Sequence, residues 1–160
     1  MKTNFLENNK IIHCAPVATI ASAENCGATS MACDVMSLAN ADGAVFVHVT
    51  MTNAGGNSTL YVCACDDTTP TTSVVVSFRY KTIQAPNTIL STGESKGLLT
   101  STAANIIYVL EVDAAKVAEQ GYEYVQLVGV ETTAQAVDGA IVGWLTGLLY
   151  KEDDPGTQVA

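Results

Sequence analysis

The sequence predicts an all-β single domain, a β-sandwich or jelly roll with one short helix and an extended N-terminal arm. Three observations predict it. From about residue 44 to residue 150 short apolar/polar alternating segments follow one another. Turn residues such as Asp42-Gly43 and Asn53-Ala54-Gly55-Gly56-Asn57 separate them. Only one stretch, 113–120, has helical character.

In order along the chain, residues 1–10 are polar and aperiodic and read as an arm, with Phe5 and Leu6 as its apolar anchors. Residues 11–20 predict a short strand broken at Pro16, and 31–38 a moderate strand. The clearest strand is 44–52, with Val45, Val47, Val49 and Met51 on a greasy face and Phe46, His48, Thr50 and Thr52 on a mixed one. A Gly-rich hairpin loop leads to a strand over 59–65, then to a loop containing Pro70. Residues 73–81 predict one strand, with Val74, Val76, Phe78 and Tyr80 inward and Ser77, Arg79 and Lys81 outward.

Residues 82–103, rich in Thr, Ser, Asn and Gly, read as a long irregular section with a short strand near 88–90. It is expected to face a partner through Ile83, Ile89, Leu90, Leu98 and Leu99. A strand over 105–112 precedes the helix, whose N-cap is Asp113 and whose stop is Gly121. The last strands are expected at 122–131 and 139–150. The second holds Gly143 and Gly147, which suggest a bulge or a close backbone approach. Residues 151–160 form an acidic tail. No linker divides residues 11–150 into two domains.

Composition narrows the function classes. Charged residues are only 14 %, so Thr, Ser, Asn and Gly supply most of the polarity. Such a surface suits β-structure and burial by other subunits. Net charge is −9 with no basic patch, which argues against nucleic acid and anionic membrane as partners. No apolar run is long enough for a membrane span. A signal peptide is not expected, because His13, Cys14 and Pro16 interrupt the apolar stretch and Glu7 sits where a basic leader would be.

Candidate chemistry is sparse. The five cysteines, Cys14, Cys26, Cys33, Cys63 and Cys65, are an odd set without knuckle spacing. They read as reduced core thiols in a protein assembled in the cytoplasm, with no disulfide and no metal. His13 and His48 are the only histidines; His48 reads as a half-buried, hydrogen-bonded strand residue rather than a catalytic base. Neither a carboxylate pair nor a phosphate-cradling loop is present. Tyr122 with Tyr124, and Trp144 with Tyr150, could line a sugar groove, although packing explains them better. No cofactor and no enzymatic activity are expected.

The second half resembles a group of tailed-bacteriophage virion proteins. The likeness is carried by Val74-Val75-Val76-Ser77-Phe78-Arg79-Tyr80-Lys81, by Thr100-Ser101-Thr102-Ala103-Ala104, by Tyr108-Val109-Leu110-Glu111-Val112-Asp113-Ala114 and by Gly121-Tyr122-Glu123-Tyr124-Val125-Gln126-Leu127, closing with the apolar strand at 140–150. It covers roughly residues 70–150. The resemblance implies a minor capsid, cement or decoration protein at the capsid surface. It would bind the major capsid protein, form a homo-oligomer or symmetric assembly, and carry no catalytic residues. The alternatives are a carbohydrate-binding β-sandwich and a head–tail connector or tail component.

Overall fold

A computed structural model describes residues 10–15, 31–84, 86–133 and 135–148. Phe5, Leu6, Cys26, Tyr150 and the tail lie outside the described residues, as do the side chains of His13 and Cys14. Twelve strands run in chain order: β1 (Lys10–Ala15), β2 (Met31–Ala32), β3 (Met36–Ser37), β4 (Gly43–Asn53), β5 (Asn57–Cys65), β6 (Ser73–Val76), β7 (Phe78–Gln84), β8 (Thr88–Ser95), β9 (Leu98–Leu99), β10 (Ile106–Asp113), β11 (Tyr124–Thr133) and β12 (Val137–Thr146). One helix among the described residues, α1 (Ala114–Ala118), joins β10 to β11.

The strands form two antiparallel sheets packed face to face. Sheet A has the order β1-β12-β4-β10-β7-β8. Sheet B has β2-β11-β5-β6, with β3 also on β11 and β9 also on β5. Strands from the two ends of the chain pair in turn: β1 with β12, β2 and β3 with β11, β4 with β10, and β5 with β6. One antiparallel ribbon folded over into two sheets is the jelly-roll arrangement. The hairpin β7–β8 is an addition to it, and it makes sheet A two strands wider than the four-strand path of sheet B.

The core lies between the sheets. Phe46, Tyr108, Leu110, Ile141 and Leu145 from sheet A meet Leu60, Val62, Val125 and Leu127 from sheet B. Each large apolar side chain buried here contributes about 1.5–3 kcal/mol. In β4 the mixed face, with Phe46, His48 and Thr50, is the one turned inward; the valine face points out. Thr50 is accommodated because its hydroxyl accepts from Ile106 N (3.2 Å) and donates to Ile106 O (3.1 Å).

Several expected boundaries change. The predicted strand at 73–81 is two strands in different sheets. β6 pairs with β5 in sheet B, Ser77 breaks the run, and β7 pairs with β10 in sheet A. Val74, expected inward, is exposed on the short β6. The section 82–103 is not irregular, since it holds the end of β7, all of β8, and β9. The strand at 31–38 is split into β2 and β3. The interval still bonds to β11, with Cys33 N donating to Leu127 O (2.9 Å) and Gln126 Nε2 to Cys33 O (2.6 Å).

The helix forms where expected. Asp113 caps it by accepting from Ala115 N at 2.8 Å. Gly121, at φ 81°, ends it, with Gly121 N bonded to Ala118 O and Tyr122 N to Val117 O. That pair of bonds is a Schellman closure, which needs the left-handed residue.

The register shift in β12 falls between Val137 and Gly139, not at Gly143. A Cβ on Gly139 would stand 2.3 Å from the Val49 carbonyl oxygen, so the backbones approach there as only glycine allows. Gly139→Ala should therefore lower stability by about 2 kcal/mol, read as a fall of about 6 °C in thermal midpoint. A midpoint equal to that of the unsubstituted protein would show that the strands separate at no cost.

Candidate interaction surface

The outer face of sheet A is apolar across its centre. Cross-strand registers align Ile11, Trp144, Val45 and Glu111 in one row. Val142, Val47, Val109 and Lys81 form the next row, and Ala140, Val49, Ile107, Ile83 and Ile89 the third. Direct partners in an antiparallel pair point to the same side, so each row is a strip of touching side chains. Met51 stands beyond the third row and is 50 % exposed.

The residues predicted to face a partner separate in the structure. Ile83 and Ile89 are opposed across β7–β8, and Leu90 is the extra residue at the register shift beside them. Ile89 and Leu90 are 55 % and 47 % exposed. Leu98 pairs with the buried Leu60, faces inward and packs on the core. Leu99 pairs with Thr59 on the outer face of sheet B and is 55 % exposed.

Charge is segregated along the sandwich. One end is built from residues 49–59, 82–92, 98–107 and 129–140. Glu131 and Asp138 are the only charges in those segments. Met51, Ile89, Leu90, Leu99 and Val130 are exposed there. The opposite end carries Asp42, Asp66, Asp67, Asp113, Glu119 and Glu123, all beside strand termini or α1. The sequence holds this signal as a scarcity of charge in alternate connections, which strand-by-strand reading passes over.

Between the two ends, the outer face of sheet A has an open depression of about 490 Å³, lined by Arg79, Lys81, Thr92, Glu94, Val109 and Glu111 among others. Arg79 pairs with Glu111 at 3.0 Å. Lys116 on α1 bonds to Glu94 and to Ser77 Oγ (3.0 Å), tying the helix to both crossing points of the β7–β8 hairpin. The Lys116 hydrogen bond holds the Glu94 carboxyl below its ordinary range. These are opposed pairs at a surface, worth little in stability but fixing the corner's shape.

Chemistry does not gather in the interior. His48 is fully buried, not half-buried as expected, and stacks on Tyr108 with ring centroids 5.7 Å apart. Its Nδ1 has no partner. Burial pushes its pKa down to about 4, against a smaller opposing effect from a backbone hydrogen bond at Ala140. Cys33, Cys63 and Cys65 are buried, and Cys63 and Cys65 are free thiols. Burial raises both strand thiols, Cys65 to about 12. Among the described residues no group of three His, Cys, Asp or Glu could hold a metal, and no helix is long and apolar enough to cross a membrane. Tyr122 precedes β11 and packs on the core, whereas Tyr124 lies within that strand.

No protein-family model, no curated protein and no solved structure matches the chain.

Two outcomes follow from the buried groups. In the unfolded chain His48 takes up a proton below about pH 6.5, while the folded protein resists until about pH 4. The unfolded state therefore binds more protons in that window, and stability falls as pH falls through it, by about 3 kcal/mol in full. Denaturant melts from pH 7 to pH 4 should show this loss, and His48→Phe should flatten it. An unchanged slope in the variant would exclude His48 as its source. Separately, iodoacetamide at pH 8 should leave Cys63 and Cys65 unmodified in the native protein and alkylate both in denaturant, as read by peptide mass mapping. Rapid native labelling of Cys63 or Cys65 would contradict their burial.

Proposed function

We propose that this chain is a structural protein of a tailed-bacteriophage virion, a cement or decoration protein that binds and stabilises the shell of the major capsid protein. The observation that carries the proposal is the charge-poor end, with only Glu131 and Asp138 in its segments and with exposed Met51, Ile89, Leu90, Leu99 and Val130. Permanent interfaces deplete charge at their centre and bury apolar side chains. Most of the described acids lie toward one end, while Met51, Ile89, Leu90, Leu99 and Val130 are exposed toward the other, a separation that burial of the second end against a partner accounts for. Bound to a shell, the aliphatic end is covered and the acidic end faces solvent. The likeness of residues 70–150 to phage virion proteins supplies the identity of the shell. The buried His48 and the raised thiols support a non-catalytic role.

Mass spectrometry of purified particles should find the chain in fixed stoichiometry to the major capsid protein. Met51→Glu combined with Ile89→Glu should keep the melting temperature within about 2 °C, because both residues are exposed, and should abolish co-purification with particles. A location at the neck or tail would select the connector reading. Absence from particles together with retention on a glycan array would replace the proposal with a carbohydrate-binding module.

A further inference from the structure

We infer that two copies of this chain pair through β8, antiparallel about a two-fold axis, so that sheet A runs continuously across both. Among the described residues β8 is the last strand of sheet A and is bonded only to β7. Its other side presents a row of backbone donors and acceptors. Seven of its eight residues are exposed, because the β7–β8 hairpin extends past sheet B. Natural edges of this length are normally blunted by lysine, proline or an inward charge. β8 contains no lysine and no proline; of the usual protections it has only the bulge at Leu90 and one charge, Glu94, which is held by Lys116. The register shift at Ile89–Leu90 bends the start of the strand but leaves 91–95 regular.

A second copy fits this edge for two reasons. Each chain carries −9, so two copies approach only where acids are absent, and residues 82–92 are uncharged. A two-fold pairing also sets the strand against itself. Glu94, its one charge, then faces a neutral residue for any axis not placed on Glu94 itself, so no like charges oppose. Main-chain bonds join the copies and the flanking Ile89 and Leu90 lose exposure, as in other strand additions.

Analytical ultracentrifugation of the full chain should give twice the 16.7 kDa monomer mass at micromolar concentration. The regular part of the strand, 91–95, sets the axis near Thr92 when Glu94 is kept off it, so Thr92→Lys and Thr92→Asp each place like charges near the axis and should weaken pairing at least tenfold, with melting temperatures unchanged. An equimolar mixture of the two variants should restore the dimer. Ser91→Lys and Ser91→Asp, on the opposite face, form a second complementary pair should either Thr92 variant fold poorly. A monomeric wild type, a dimer that survives all four changes, a mixture that stays monomeric, or a closed ring of more than two copies would each overturn the inference. The measurement uses the isolated chain, so it stands or falls apart from the virion role.

Discussion

The mismatch in width between the two sheets governs much of this structure. Eight strands of one ribbon would close into a balanced sandwich. The chain instead leaves sheet B at Val76, crosses at Ser77, and enters sheet A at Phe78. It returns after Ser95 and rejoins β5 at Leu98. Two extra strands are thus hung on sheet A with no counterpart opposite them. Phe78 remains buried at the crossing, but β8 reaches solvent on both faces. Tyr80 partly compensates, since its ring lies 3.4 Å from where a Gly93 side chain would begin. An aromatic laid over a cross-strand glycine covers backbone that a neighbouring sheet would otherwise cover.

The same mismatch explains the corner chemistry. Lys116, Glu94 and Ser77 meet where the hairpin departs and returns. Arg79 and Glu111 bridge β7 to β10 one step away. In water each pair contributes modestly. Together they fix the angle of a hairpin that has lost packing on one side, so charge does there what apolar contact does elsewhere. At the other end of β7 and β8 no such clasp exists, and aliphatic residues take its place.

How much of this was legible in the sequence follows from period. Strands half buried against the opposite sheet, such as β4, β5, β10 and β11, alternate and were legible. So was α1, through Asp113 and Gly121. Of β8 only the start, the short strand expected near 88–90, was legible; the rest was not, because a strand exposed on both faces has no apolar period to detect. The crossing at Ser77 was hidden for the opposite reason: alternation continues through it, since both sheets present their inward faces to one core. Of the partner-facing candidates, Ile83, Ile89, Leu90 and Leu99 lie on outward or edge positions, but Leu98 belongs to the core. Adjacent residues in a strand point opposite ways, so a pair of leucines could not both face a partner.

The inside-out appearance of β4 has a physical reason as well. Shifting its pairing by one residue would turn Val45, Val47 and Val49 toward the core and Phe46, His48 and Thr50 away from it. Taken alone, β4 favours that choice, because it would spare a buried imidazole. Its neighbours decide otherwise. On the inward rows, His48 lies beside Ile141 and Tyr108, and Phe46 beside Leu110. Flipping β4 would remove Phe46 from a core that also needs Leu127 and Val62 filled against it. Losing a large aromatic from a core costs about 3–5 kcal/mol, comparable to or above the cost of holding one histidine neutral. The core is therefore set by the largest residues of adjacent strands. The valines are left outside, where their β-branched side chains stiffen the strand and form a flat apolar face. A face selected in this way needs no separate cause for being apolar, and it is available to whatever covers the charge-poor end beside it.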